Sequence, residues 1–327
     1  MKKKIVIAAA AVLIVLTAAT FGAGWYMLDY ALAPAPDAQH MAKRYSRMFG
    51  EYPYMRHWVD SLKAAKALRD TFVTMADGRR RHAVYARNDS AAGRTAILVH
   101  GYKDSHIGML PIAKVYADMG YNILLPDLYA HGLSDGDHIR MGWDDRKDVM
   151  RWIGVAEGLF ATAAGKPQIV LHGVSMGAAT GMNTSGEKLP ESVKCFVEDC
   201  GYTSVWDEFS RQLDDQFGLP QFPLLYAASA LCKLRYGWTF GEASPVRQLT
   251  LNESPMLYIH GSSDGYVPSV MVFPLYNANP VHLAANGVYR HFNDIWITPG
   301  CEHAKSFHDY PTEYAARVKA FVGKFIK

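Results

Sequence analysis

Gly173-Val174-Ser175-Met176-Gly177 follows an apolar run, Gln168-Ile169-Val170-Leu171-His172, and leads into Ala178-Ala179-Thr180-Gly181-Met182. The stretch reads as a strand, a very sharp turn and a helix. In that setting the two glycines leave room for a strained backbone at the serine, which lifts its hydroxyl clear of the sheet edge. Ser175 is therefore a candidate nucleophile. Taken alone, the pentapeptide fits an ordinary Gly-bounded loop equally well, so the decision rests on what surrounds it.

Outward from this stretch, short β-rich apolar runs alternate with helical segments. The runs are Ala96–Val99, Tyr121–Leu125, Ile169–Leu171, Cys195–Val197, Met256–Ile259 and Ile295–Ile297. Helix candidates lie around 107–119, 145–163, 176–187, 268–278 and 311–326. Continuous rather than alternating apolar strands, separated by helices, predict an α/β fold with a mostly parallel sheet covered on both faces. Ligands then bind at the carboxyl ends of the strands. Ahead of this region, Thr71–Met75 and His82–Ala86 flank an Asp77-Gly78 turn and read as an antiparallel hairpin. Arg79-Arg80-Arg81 is expected as its solvated edge. Between about 202 and 241 the rhythm breaks into a helical insertion dense in aromatics, among them Trp206, Phe209, Phe217, Phe222, Tyr226, Tyr236, Trp238 and Phe240. As a group they are expected to form a cap over the site.

A serine hydroxyl is a poor nucleophile unless a histidine takes its proton, and that imidazole needs a carboxylate to fix its tautomer and stabilise its charge. Asp264 is the candidate carboxylate, in Gly261-Ser262-Ser263-Asp264-Gly265 after the Met256 run; Asp199, after the strand ending at Val197, is the second choice. His303 is the candidate base. Of the 13 histidines it is preferred to His282, His291 and His308 because it alone follows a sheet strand through a glycine turn, Pro299-Gly300-Cys301-Glu302-His303. Stabilising an oxyanion needs two preorganised donors. The N–H of Met176 and the N–H of Tyr102, in the His100-Gly101-Tyr102 loop, are the candidates.

His100-Gly101 after one central strand, Asp127-Leu128-Tyr129-Ala130-His131-Gly132-Leu133-Ser134-Asp135-Gly136 after the next, the Ser175 turn, Asp264 and His303 together resemble the α/β-hydrolase superfamily. The order nucleophile, acid, histidine is the one that fold uses. The loop from Asp127 is similar to the family's D-x-R-G-H-G-x-S-x-G, with Tyr129-Ala130 in place of Arg-Gly, and is read as structural. The resemblance covers about 70–327; the finer likeness is to bacterial prolyl-oligopeptidase-like and Bem46-like hydrolases. It implies an α/β-hydrolase fold with a helical cap, no metal and no organic cofactor. It also implies a serine hydrolase that cleaves a small carboxylic ester through an acyl-enzyme, with peptide or amide hydrolysis as the alternative and a non-catalytic binding module as the less favoured one.

The amino terminus is a separate matter. Lys2-Lys3-Lys4 precedes Ile5–Leu28, 24 residues without a charge, more than the ~20 that cross a bilayer and the ~7–15 of a signal-peptide core. Asp29 and Asp37 are the only charges after it before Lys43. The positive-inside rule then places the body of the protein on the extracytoplasmic side of the cell membrane, held by one uncleaved helix. Ala31-Leu32-Ala33 would serve as a cleavage site in the alternative, a cleaved signal. The expected organisation is thus an anchor over 1–30, a helical spacer over 31–69 and a catalytic domain over 70–327. A net charge of +3 on 327 residues excludes an extended nucleic-acid surface. Cys195, Cys200, Cys232 and Cys301 match no zinc spacing and are expected as buried free thiols.

Overall fold

The computed structural model describes residues 2–36, 40–280, 282–283, 289–290 and 293–327. In chain order the elements are α1 (Lys2–Leu32), α2 (Met41–Glu51), α3 (Met55–Ala64), β1 (Arg69–Thr74), β2 (Arg80–Ala86), β3 (Arg94–Val99), α4 (Leu110–Asp118) and β4 (Asn122–Pro126). They continue with α5 (Asp145–Leu159), β5 (Gln168–Val174), α6 (Met176–Ser185), β6 (Val193–Asp199), α7 (Val205–Phe217), α8 (Leu224–Tyr236), α9 (Pro245–Leu249) and β7 (Met256–Gly261). The last are α10 (Val272–Ala278), the two-residue strands β8 (His282–Leu283) and β9 (Tyr289–Arg290), β10 (Asp294–Thr298), α11 (Ser306–Asp309) and α12 (Pro311–Val322). His291, one of the histidines weighed above, lies outside the described residues.

The chain divides into two compact units, Met1–Ala33 with Ser204–Ser244, and Pro34–Thr203 with Pro245–Lys327. The larger unit is built on an eight-stranded sheet of order β1-β2-β4-β3-β5-β6-β7-β10. β1–β2 and β2–β4 are antiparallel, and the remaining pairs are parallel. Every residue of β4 and β7 is buried, as expected of continuous apolar strands with both faces covered. Helix α6 is buried along its whole length. Its small residues, Gly177, Ala178, Ala179 and Gly181, let it lie close to the sheet behind Ser175.

The stretch expected as a spacer contributes to this unit's core. Met48 and Phe49 of α2 and Met55 and Val59 of α3 are buried in one cluster with Val84, Leu98, Leu125, Val170, Tyr314 and Phe321. The apolar residues of α2 fall on one face, the pattern of a helix that packs, with Arg44 buried beside them and Lys43, Arg47 and Glu51 exposed.

The basic run departs from expectation. Arg81 is fully buried; its Nε donates to Asp148 Oδ2 at 2.6 Å and its Nη2 to Asp77 Oδ2 at 2.6 Å. Arg140 reaches the same two carboxylates, and only Arg80 of the three keeps a largely exposed position with its backbone N–H bonded to Asp135. Arg80 at the start of β2 is exposed, whereas Arg81 and His82 after it are both fully buried. Carboxylates contributed by α5 and by the turn make that burial tolerable, and a run of three arginines gives no sign of them. Removing one partner of a buried pair leaves the other uncompensated and costs ~3–5 kcal/mol. Arg81→Ala should therefore lower unfolding free energy by about that amount in urea titrations; a loss below ~1 kcal/mol would contradict the role given to this pair.

The smaller unit comprises α1, α7 and α8. Ser204 caps α7 by accepting from Asp207 N at 3.0 Å, and Gly218 closes that helix in the left-handed conformation. Among the described residues α1 is the one helix long and apolar enough to cross a membrane.

Candidate active site

Ser175 sits between β5 and α6 with φ 57° and ψ −119°, a conformation that costs a non-glycine residue ~1–3 kcal/mol. The flanking glycines permit it by close approach. A Cβ on Gly177 would stand 2.0 Å from the Val99 carbonyl oxygen, and one on Gly173 would stand 2.2 Å from the Gly177 carbonyl oxygen. The Ser175 N–H donates to Asp199 O at 2.8 Å and its carbonyl accepts from Ala179 N at 3.0 Å. The turn is thereby held from both sides.

His303 and Asp264 arrive on loops after β10 and β7. Ser262 N donates to Thr298 O, Ser263 N donates to Cys301 O, and Gly300 N donates to Ser262 Oγ, which holds the two loops side by side. His303 Nε2 lies 2.8 Å from Ser175 Oγ, and His303 Nδ1 lies 2.7 Å from Asp264 Oδ2. The other oxygen of Asp264 accepts from Val267 N at 2.8 Å and Tyr266 N at 3.0 Å. Burial alone would raise the Asp264 pKa, but hydrogen bonds from His260 and His303 and from the Val267 N–H hold it below the usual carboxylate range. Three side chains from three separate strand ends are thus hydrogen-bonded in line.

Asp199, the second-choice acid, is bonded elsewhere. Its Oδ2 accepts from the Tyr314 hydroxyl at 3.0 Å. Tyr314 in turn contacts His172 Nε2, and His172 Nδ1 meets the Tyr116 hydroxyl. Burial pushes the Asp199 pKa up to about 6 and that of His172 down to about 3. This line of buried groups stiffens the sheet beneath Ser175. His308, another histidine weighed from the sequence, pairs with its neighbour Asp309.

The backbone donors are organised by two neutral histidines. His100 Nδ1 donates to Gly101 O at 2.8 Å, and its Nε2 accepts from Leu128 N at 3.0 Å. A trans peptide carries its C=O and N–H on opposite sides, so pinning the Gly101 carbonyl to the imidazole turns the Tyr102 N–H the other way. Gly101 itself lies against the elbow; a Cβ there would be 3.4 Å from Ser175 Cβ. His131 reciprocates, accepting from Lys103 N at 3.1 Å and donating from Nδ1 to Tyr129 O at 2.8 Å. The loops after β3 and β4 are laced together by two imidazoles that accept from backbone N–H groups, which requires both to be uncharged. Burial lowers both pKa values, that of His131 to about 3.

Asp127 anchors the second loop. Its carboxylate accepts from His82 Nδ1, His106 N, His106 Nδ1 and Leu133 N, and these bonds hold it well below the usual carboxylate range despite burial. His82, His106 and Asp127 form one group whose ligand-type atoms cluster within 4.8 Å; Cys200, Asp264 and His303 form another. In both, imidazole and carboxylate are engaged with each other. The four cysteines are buried, and none of them is in a disulfide.

A cavity of about 420 Å³ opens at Ser175 and His303. Tyr102 lines it, and so do Ile107, Met109, Ile112 and Phe307, together with Arg44, Arg47, Met48, Glu51 and Tyr52 of α2 and its end. All of these residues belong to the larger unit. Arg44 is buried, donates Nη2 to Lys103 O at 3.1 Å and pairs with Asp104. At the other end of the helix Glu51 accepts from Lys305 Nζ, two residues beyond His303. Helix α2 therefore braces both the Tyr102 loop and the His303 loop. The sequence signal was an amphipathic helix with arginines in its middle, which does not say which loops those arginines reach.

Residues 96–317 match the profile of the alpha/beta hydrolase family. The chain belongs to that family. The uncharacterized protein YqkD of Bacillus subtilis (strain 168) is 26% identical over 228 residues, 70% of each chain. Among solved structures, the Pyrococcus furiosus esterase Pf2001 superposes with a TM-score of 0.62 at 22% identity, covering 80% of this chain and 92% of its own. The esterase RhEst1 from Rhodococcus sp. ECU1013 gives 0.53 at 20% identity, covering 79% and 99%. A membrane phospholipase A described as a bacterial virulence factor gives 0.55 at 16%, covering 84% and 92%. These likenesses establish the α/β-hydrolase fold.

Two outcomes are expected. Native His131 resists protonation that the unfolded chain accepts below about pH 6.5. Wild-type stability relative to His131→Gln should therefore fall by ~1.4 kcal/mol per pH unit as pH drops from about 6.5 toward about 3; a pH-independent difference would contradict the neutral lacing. Arg44→Met should lower kcat by ~10–100-fold through misplacement of the Tyr102 loop, with little change in thermal midpoint; unchanged kcat would release α2 from that role.

Proposed function

We propose that this protein is a membrane-anchored serine hydrolase that cleaves a carboxylic ester through an acyl-enzyme intermediate. The reading rests on one observation: Ser175 Oγ, His303 Nε2, His303 Nδ1 and Asp264 Oδ2 stand in one hydrogen-bonded line, 2.8 Å and 2.7 Å at its two links.

Ser175 Oγ attacks the ester carbonyl carbon while His303 Nε2 takes its proton. Asp264 stays ionised and holds the imidazole by Nδ1, stabilising the charge it gains. The N–H groups of Tyr102 and Met176 receive the oxyanion; the former is aimed by the His100–Gly101 bond and the latter stands at the start of α6. Collapse expels the alcohol, which takes the proton back from His303. A water molecule, deprotonated by the same imidazole, then attacks the acyl-enzyme; the acyl–Oγ bond breaks, Ser175 Oγ takes the proton back from His303, and the acid leaves. The cavity joins apolar walls, Met48, Ile107, Met109, Ile112 and Phe307, to a charged rim from α2. That lining suits an ester with an apolar acyl or alcohol portion. Peptide or amide cleavage uses the same groups and remains the alternative for a substrate panel to separate.

The apolar stretch of α1, 0% buried in its most hydrophobic window, supports an uncleaved anchor with the larger unit on the extracytoplasmic side. Three lysines stand at its start.

A fluorophosphonate probe should label the wild type once per chain and leave folded Ser175→Ala unlabelled; labelling that survives the substitution would overturn the assignment. Asp264→Asn should lower kcat by ~10⁴-fold, whereas Asp199→Asn should cost far less. On p-nitrophenyl esters of graded chain length beside aminoacyl and peptidyl nitroanilides, turnover should be confined to the esters.

A further inference from the structure

In the smaller unit α8 runs alongside the carboxyl-terminal third of α1. A Cβ on Gly24 would lie 3.0 Å from both Ala227 Cβ and Ala228 N, so the two helices meet with no side chain between them. Leu28 and Leu32, one and two turns on, are buried along the same stripe. Beyond Gly24, Arg235 pairs with Asp29 and lies over the Trp25 ring at 4.8 Å. The Tyr30 hydroxyl donates to Gln216 at 3.0 Å while its ring meets Phe217 edge-on. Since Gly24 stands beside Ala227 and Ala228, and Asp29 beside Arg235, the helices run parallel. The amino-terminal end of α8 therefore points toward the apolar half of α1.

That end is unusually apolar for a surface. Phe222 is 72% and Tyr226 54% exposed. Their rings meet edge-on at 5.8 Å, and Trp206 backs Tyr226 at 4.8 Å. The ~20 residues needed to cross the hydrocarbon, counted from Ile5, end at Gly24. Trp25, Tyr26 and Tyr30 then fall where aromatic side chains collect at a membrane surface. Tyr226, in the first turn of α8 and next to Ala227, lies at the level of Gly24, and Phe222, two residues ahead of that helix, packs on its ring.

We propose that the insertion Ser204–Ser244 is a membrane-docking element, with Phe222 and Tyr226 seated in the lipid headgroup region of the leaflet from which α1 emerges. The bilayer is the occupant because the patch adjoins the helix that enters it, at the height where the apolar span ends. This rests on reading α1 as an uncleaved anchor. It gives the aromatic insertion a partner other than substrate.

The test uses the full-length protein in phosphatidylethanolamine–phosphatidylglycerol liposomes, with a photoreactive p-benzoylphenylalanine at position 222 or 226, and at position 13 as reference. Phe222→p-benzoylphenylalanine and Tyr226→p-benzoylphenylalanine should each give a lipid adduct on irradiation, at a yield within severalfold of Leu13→p-benzoylphenylalanine. Lipid adducts at 13 but none at 222 or 226 would overturn the docking proposal and leave the anchor standing. Adducts at 222 or 226 that join two chains would overturn it in favour of a protein contact. No lipid adduct at any of the three would overturn the anchor reading and the docking with it.

Discussion

The site depends on how closely α6 approaches β3. The Ser175 hydroxyl is presented at the sheet edge because the chain turns from β5 into α6 within one residue, and that residue takes φ 57°. The turn is affordable where glycine replaces any side chain that would meet Val99 O or Gly177 O. Ser175 N, bonded to Asp199 O, ties the same turn to β6. Parallel strands ending on one edge then bring Asp264 and His303 to it, with no need for the three residues to be near in sequence.

Around that turn the chain uses uncharged imidazoles as structural connectors. His100 and His131 each donate to a carbonyl and accept from a backbone N–H of the opposite loop, and His172 bridges two tyrosines above Asp199. Burial keeps them neutral, and neutrality is what lets a ring nitrogen accept. Asp127 does the complementary work as a carboxylate whose donors compensate its charge. Asp264 differs: one of its oxygens accepts from two backbone N–H groups and the other from His303.

Much of this was legible in the sequence. The fold followed from continuous apolar strands and from the order Ser175, Asp264, His303, and the residues the pattern named are the ones the structure brings together. The sequence ranked Asp264 above Asp199, and in the structure Asp264 meets His303 Nδ1 while Asp199, at the end of β6, meets Tyr314. Two other features were not legible. Arg81 belongs to a buried ion-pair cluster with Asp77, Asp148 and Arg140, although Asp148 lies 67 residues away. Helix α2 braces the Tyr102 and His303 loops, although its amphipathic pattern says only that one face packs. Period and motif report what a residue's own strand or helix requires; they are silent on which distant loop a long side chain reaches.

The central claim, that Ser175 is acylated during turnover, is tested most directly by rapid mixing with a p-nitrophenyl ester followed by acid quench and peptide mass mapping. The account predicts a burst of about one p-nitrophenol per chain and the acyl mass on the peptide carrying Ser175. Steady turnover with no burst under conditions where deacylation is slow, or an acyl group mapped to any other residue, would contradict it.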